Sequence, residues 1–142
     1  METPPSLLAV TTFTLHKAAV ANRRTLADRL SARTGLGLWH FAVLTALDDF
    51  GPAAQRRLGD RLGLDPSDMV RLMDDLIEMR LADRERDPSD RRRYRVTLTA
   101  AGRSALEEAH RVIAEVENET LAPLTADERA HLHALAAKLY PR

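Results

Sequence analysis

The sequence contains no cysteine. That excludes disulfides, thiolate metal ligands and sensing through an oxidised thiol, and it fits a reducing compartment. Lysine is almost missing as well: nineteen of the 21 basic residues are arginine, with Lys17 and Lys138 the exceptions. Arginine richness has a bland source in the base composition of a gene. Still, the planar guanidinium fork suits bidentate contacts to phosphate and guanine better than an ammonium does. Aromatic residues are few, at one Trp, three Phe and two Tyr, so any concentration of them stands out. No apolar run approaches the roughly 18 residues needed to cross a bilayer. The N-terminal METPPSLLAV has no basic stretch ahead of an apolar core, so no signal peptide is expected and the protein is read as cytoplasmic, with no membrane partner.

Net charge is also lacking: 21 basic residues balance 21 acidic ones. Taken globally, this argues against a nucleic-acid partner. The charge is nevertheless sorted along the chain. Residues 84–95 hold Arg84, Arg86, Arg91, Arg92, Arg93 and Arg95 against Glu85, Asp87 and Asp90, while residues 100–142 carry more acid than base.

What is present is a series of helix signals broken by one change of period. Pro5 and Ser6 suit a helix entry, with Ser6 a candidate cap, and Leu7 to Arg33 holds no Pro or Gly, which predicts one long helix up to Thr34-Gly35. Leu38 to Asp49 predicts a mostly apolar second helix, stopped by Phe50-Gly51-Pro52, and Ala53 to Leu62 a short third. Asp65-Pro66-Ser67-Asp68 starts a fourth, with Asp65 as cap, Pro66 first in the helix and Asp68 at the capping-box position. At a 100° step its apolar residues Met69, Val70, Met73, Leu76 and Ile77 share one side. From Arg93 to Leu98 polar and apolar residues alternate, which predicts a strand. It faces Ala82–Arg86 across the turn Asp87-Pro88-Ser89-Asp90. Thr99 caps a fifth helix, and Thr125 with Glu128 boxes a last amphipathic one.

Two short helices joined by a tight Gly-containing turn, followed by a hairpin, make a winged helix-turn-helix. The expected fold is mainly α with a small β-hairpin: an N-terminal dimerisation helix (1–37), a winged helix-turn-helix DNA-binding lobe (38–99) and C-terminal dimerisation helices (100–142). In such a lobe the second helix enters the major groove N-terminus first. The hairpin reaches along the duplex, where a narrow minor groove favours an inserted arginine. Double-stranded DNA is therefore the expected partner. Leu64-Asp65-Pro66-Ser67, Leu76-Ile77-Glu78-Met79-Arg80-Leu81 and DPSDRRRYRVTLTAAG resemble the MarR family of bacterial transcription regulators, whose wing carries Asp-x-Arg followed by Leu-Thr-x-x-Gly. The resemblance implies that Asp90 braces the guanidinium of Arg92 and that Arg92 enters the minor groove. It also implies a homodimer, a repressor role, and release by a small aromatic or anionic effector. The effector candidates by position are Phe13, His16, Trp39, His40 and Phe41, although Trp39-His40-Phe41 also reads as ordinary core packing. The peroxide-sensing branch of the family is excluded, because it needs cysteine.

The candidate DNA-binding residues are Ser67, Asp68, Arg71, Arg84, Arg86, Asp90, Arg91, Arg92 and Arg93, with Arg71 as main base reader. The fourth helix departs from the family: its exposed face is acidic, with Asp68 where a hydroxyl is common and Asp75 at or near a usual basic position. Two readings stand. Either Asp68 caps and the other acids lie too far along to meet phosphate, or Asp68 accepts from a cytosine amino group while Asp75 orients Arg71. The acidic face also keeps an alternative open, a winged-helix protein-interaction module without specific DNA binding. No enzyme is expected, for no Gly-rich phosphate loop or nucleophile–base pair stands out. No cofactor or metal is expected either: His131 and His133 are two apart on a helix and diverge.

Overall fold

The computed structural model describes residues 2–141. Seven helices and three short strands lie within them: α1 Pro5–Leu8, α2 Thr11–Thr34, α3 Leu38–Phe50, β1 Ala53–Ala54, α4 Gln55–Leu62, α5 Pro66–Glu78, β2 Ala82–Arg86, β3 Tyr94–Leu98, α6 Ala100–Thr120 and α7 Ala126–Leu139. The fold is mainly helical with a small antiparallel sheet, as expected. Two compact units form, one from the chain up to Leu26 together with that from Ile113, the other spanning Ala27–Val112.

The central unit holds the core. Leu30, Leu36, Val43, Leu44, Leu58, Met69, Met73, Leu76, Val96 and Val112 are fully buried there. Burying such side chains gives about 1.5–3 kcal/mol each, the main term holding the lobe together. The sheet order is β1-β3-β2. The hairpin registers Ala82 with Leu98 and Arg86 with Tyr94, and β1 adds Ala53 opposite Val96. β1 was not foreseen, and the third helix accordingly starts at Gln55 rather than Ala53. Two alanines carry no alternation, so only the partner strand makes them a strand. The buried side of α5 also differs: Met69, Leu72, Met73 and Leu76 are inside, whereas Val70 is exposed.

Thr99 anchors α6. Its hydroxyl oxygen accepts from the Gly102 amide at 2.9 Å and its hydroxyl donates to the Arg80 carbonyl at 2.9 Å. A Cβ on Gly102 would collide with the Leu81 carbonyl and lie 2.7 Å from Leu98 Cδ1. Leu-Thr-x-x-Gly is thus a device for seating a helix start directly on the end of the hairpin. α5 stops at Glu78, and Arg80 then takes φ 61°, a left-handed conformation that is unfavourable for a side-chain-bearing residue.

In the other unit the expected single helix from Leu7 is two. α1 ends at Leu8, whose carbonyl accepts the Thr14 hydroxyl at 2.8 Å. That side-chain bond substitutes for a helical N–H, and Thr11-Thr12 adds two β-branched residues of modest helix propensity. Ser6 is not the cap; Pro4 occupies that place without a side-chain bond. α7 begins as foreseen, with Thr125 accepting from the Glu128 amide at 3.2 Å and Glu128 accepting from the Thr125 amide at 3.0 Å. Leu7, Leu8, Val10, Leu15, Val20, Leu132, Leu135, Leu139 and Tyr140 are all exposed, and α7 buries nothing.

Candidate nucleic-acid interface

The α4–α5 pair is set by its turn. Gly63 adopts the left-handed conformation at φ 64°, and the Leu64 amide returns to the Gly59 carbonyl at 2.9 Å. A Cβ on Gly59 would come within 3.4 Å of Met69, so glycine lets the helices approach closely. Asp65 then caps α5, accepting from the Ser67 amide at 2.8 Å and from the Ser67 hydroxyl. Those bonds, hydroxyl first, hold the Asp65 carboxyl below its ordinary value. Asp68 is not a box partner: it accepts from Arg71 at 3.1 Å. Ser67, Asp68, Val70 and Arg71 form the exposed first turns of α5.

Two other acids of α5 are engaged with neighbouring elements. Asp74 accepts from Arg84 of β2 at 3.0 Å, and Arg84 also reaches the buried Gln55 of α4 at 3.4 Å. Asp75 does not orient Arg71. Its Oδ2 lies 2.9 Å from Nε2 of His40, on α3. The acidic character of the helix is thus partly internal structure, a reading that neither sequence alternative contained.

The wing tip is shaped by two aspartates. Asp87 accepts from the Ser89 hydroxyl at 2.7 Å and the Ser89 amide at 2.9 Å, which lowers its pKa in that order of importance. Asp90 Oδ1 accepts from the Arg92 amide at 3.1 Å and from Arg92 Nε at 3.3 Å, while Oδ2 lies 3.5 Å from Arg93 Nε. The expected Asp90–Arg92 pairing is present through Nε alone rather than as a two-pronged fork. Arg92 remains 90% exposed, so its guanidinium is oriented yet available. Arg84 and Arg86 stand on the face of Tyr94, at 4.9 and 4.4 Å from the ring centroid. Residues paired across a sheet share a face, and Arg86↔Tyr94 is such a pair. Arg86 also donates to the Arg91 carbonyl at 2.9 Å. Arg84 is only 24% exposed, with its guanidinium turned to Asp74, Gln55 and the Tyr94 ring.

Between α4, the start of α5 and the wing lies an open cleft of about 1130 Å³. Arg56, Arg57, Arg92 and Arg93 line it, with Asp60, Asp90, Val70 and Tyr94. Arg56 and Arg57 were missed from sequence. A signal existed: two cations in a helix's first turn oppose the macrodipole, a placement that makes sense beside an anion.

The effector candidates divide. Phe13 and His16 sit on α2 in the unit of the chain ends, and Trp39, His40 and Phe41 in the central unit. Trp39 is 47% exposed, and Phe41 packs edge-on against His110 at 5.3 Å. His40 has both ring nitrogens engaged, Nε2 with Asp75 and Nδ1 as acceptor for the Gly37 amide at 2.9 Å. Among the described residues no group of three His, Asp or Glu is placed to hold a metal ion.

The fold recurs in known proteins. Residues 34–93 match the MarR family model. The PcaV transcriptional regulator from Streptomyces coelicolor is 31% identical, with 96% of this chain and 95% of that one covered at a TM-score of 0.75. A mutant of MarR from E. coli, solved with operator DNA, is 25% identical over 98% of this chain and all of its own, at a TM-score of 0.76. BpsR of Bordetella bronchiseptica, whose DNA binding is regulated by 6-hydroxynicotinic acid, is 25% identical over 91% and 97% of the two chains, at 0.74. With a helix-turn-helix, an Asp-braced arginine wing and Leu-Thr-x-x-Gly at the start of α6, the chain belongs to the MarR family of winged helix-turn-helix transcription regulators.

Proposed function

We propose that the protein is a homodimeric repressor that occupies a palindromic operator and leaves it when a small aromatic or anionic effector binds. The observation that carries the DNA-binding half is Arg92: oriented by Asp90, nearly fully exposed, and on the rim of a cleft whose other wall is the start of α5. Laid on a duplex, α5 enters the major groove by its first turns, with Arg71 reading base edges beside Ser67 and Asp68. Arg92 enters the adjacent minor groove, and Arg56, Arg57, Arg91 and Arg93 meet phosphates. The homodimer rests on a different observation, the uncovered apolar side chains of α1, α2 and α7. Isolated surface leucines are ordinary, but a concentration in one unit marks an interface. A two-fold dimer then presents two α5 helices to two half-sites. Effector release is supported by the likeness to BpsR alone.

Two of the acids that favoured the interaction-module alternative, Asp74 and Asp75, pair with Arg84 and His40 of the same lobe, which supports the DNA-binding reading over it. Selection from random duplexes with the full chain tests the proposal: recovery of a palindrome with half-sites about one turn, roughly 34–36 Å, apart supports it. Recovery of no motif, with no binding to any duplex at low salt, refutes it. Within the recovered site, Arg71→Ala should cost about 1–3 kcal/mol and relax preference at one or two base pairs. An equal loss on every duplex would reduce Arg71 to a phosphate contact.

A further inference from the structure

His40 does two jobs at once. Gly37, the residue before α3, has no side chain to cap the helix, and its amide donates instead to His40 Nδ1 at 2.9 Å. A Cβ at position 37 would stand 3.3 Å from that nitrogen, so the glycine leaves room for the ring. An imidazole nitrogen that accepts carries no proton. The ring's single proton is therefore on Nε2, which faces Asp75 Oδ2 at 2.9 Å. The neutral ring in this one tautomer satisfies both bonds. It links the first turn of α3 to the third turn of α5.

The rest of α5 is held chiefly by Met69, Leu72, Met73 and Leu76. Such burial is non-directional, and it leaves a helix freer to roll or slide than a hydrogen bond does, because hydrogen bonds weaken steeply with angle. Asp74 and Asp75 are adjacent, so they lie about 100° apart around the helix axis. Each is fastened to a different element, to Arg84 of β2 and to His40 of α3.

We propose that His40 is a positioning residue for base readout: by donating to Asp75 it fixes the rotational setting of α5, and hence where Arg71 and Ser67 meet the bases. The proposal rests on the DNA-binding reading above. It takes His40 out of the effector-contact set, since neither ring nitrogen is left for a ligand.

The test uses full-length protein and compares the selected operator with a random duplex of the same length. His40→Ala and Asp75→Ala should each lower the operator-to-random affinity ratio by about tenfold, the scale of one base contact. Neither should weaken random-duplex binding. The double variant should fall no further than either single one, because both remove the same link. His40→Gln should bring the ratio back, since an amide oxygen can accept from Gly37 while the amide NH₂ donates to Asp75. Long-range proton–nitrogen correlation spectra of the wild type should show the Nε2–H tautomer. Additive losses, equal losses on both duplexes, no rescue by glutamine, or an Nδ1–H ring would each overturn the proposal. A wild-type chain that prefers no duplex at all would overturn the functional reading and this proposal together, whereas an intact wild-type preference with unchanged variants overturns this proposal alone.

Discussion

Removing arginines from the cleft between α4 and the wing should change how steeply DNA binding responds to salt. Each phosphate neutralised contributes a slope of about −0.9 in log affinity against log salt, through counterion release. Arg56, Arg57, Arg92 and Arg93 line the cleft; counting the minor-groove Arg92 as displacing one counterion like the three phosphate contacts gives a ceiling of about −3.6 per protomer. Asp60 and Asp90 share the lining; if each cancels one contact, the slope is about −1.8. Raising salt fourfold, from about 50 to 200 mM, should then weaken the cleft's share of binding by about 12- to 150-fold per protomer. The assay is fluorescence anisotropy of a labelled duplex across a potassium chloride series, with each arginine changed to glutamine in turn. Each change should flatten the slope by up to about 0.9 per protomer. Arg56→Gln and Arg57→Gln should do so equally on all sequences, since phosphate contacts carry no base information. Arg92→Gln should in addition erase preference for a narrow minor groove. A fourfold variant that kept the wild-type slope would show that the duplex does not lie in this cleft, and the docking described here would have to be given up.

Three further outcomes follow from the same structure. Gly102→Ala, which helix propensity alone would favour, should instead destabilise the protein by about 3 kcal/mol or more, because the added methyl meets the Leu81 carbonyl and Leu98; a lower urea midpoint at unchanged slope measures it. Arg80→Gly should raise stability by up to about 1 kcal/mol by relieving the left-handed backbone, part of the gain being offset by the greater freedom of glycine in the unfolded chain. Glu108 is bound by Arg33 at 2.7 Å and Arg111 at 2.5 Å, which hold its carboxyl below the ordinary 4.5. A depressed carboxylate contributes stability above its unfolded value and loses it as pH falls through the folded one. Acid below about pH 4.5 should therefore lower the melting temperature of the wild type more than that of Glu108→Gln.

The order of helices from α3 onward, the hairpin and both capping threonines were legible in the sequence because each depends on residues a few places apart. Thr125 finds Glu128 three residues on, and Tyr94, Val96 and Leu98 alternate whatever surrounds them. The Asp90–Arg92 brace was legible for the same reason, with its two members two residues apart. Tertiary structure alone decided that Ala53 and Ala54 form a strand, since β3 supplies their hydrogen bonds from more than forty residues away. It alone gave Asp74 to Arg84 and Asp75 to His40, turning two acids that read as an obstacle to DNA binding into fastenings of α5. It also set Arg56 and Arg57 across a cleft from Arg92 and Arg93. A one-dimensional sequence records periodicity and near-neighbour chemistry; which charges meet across space depends on how the buried faces dock, and that is settled only when the whole lobe has packed.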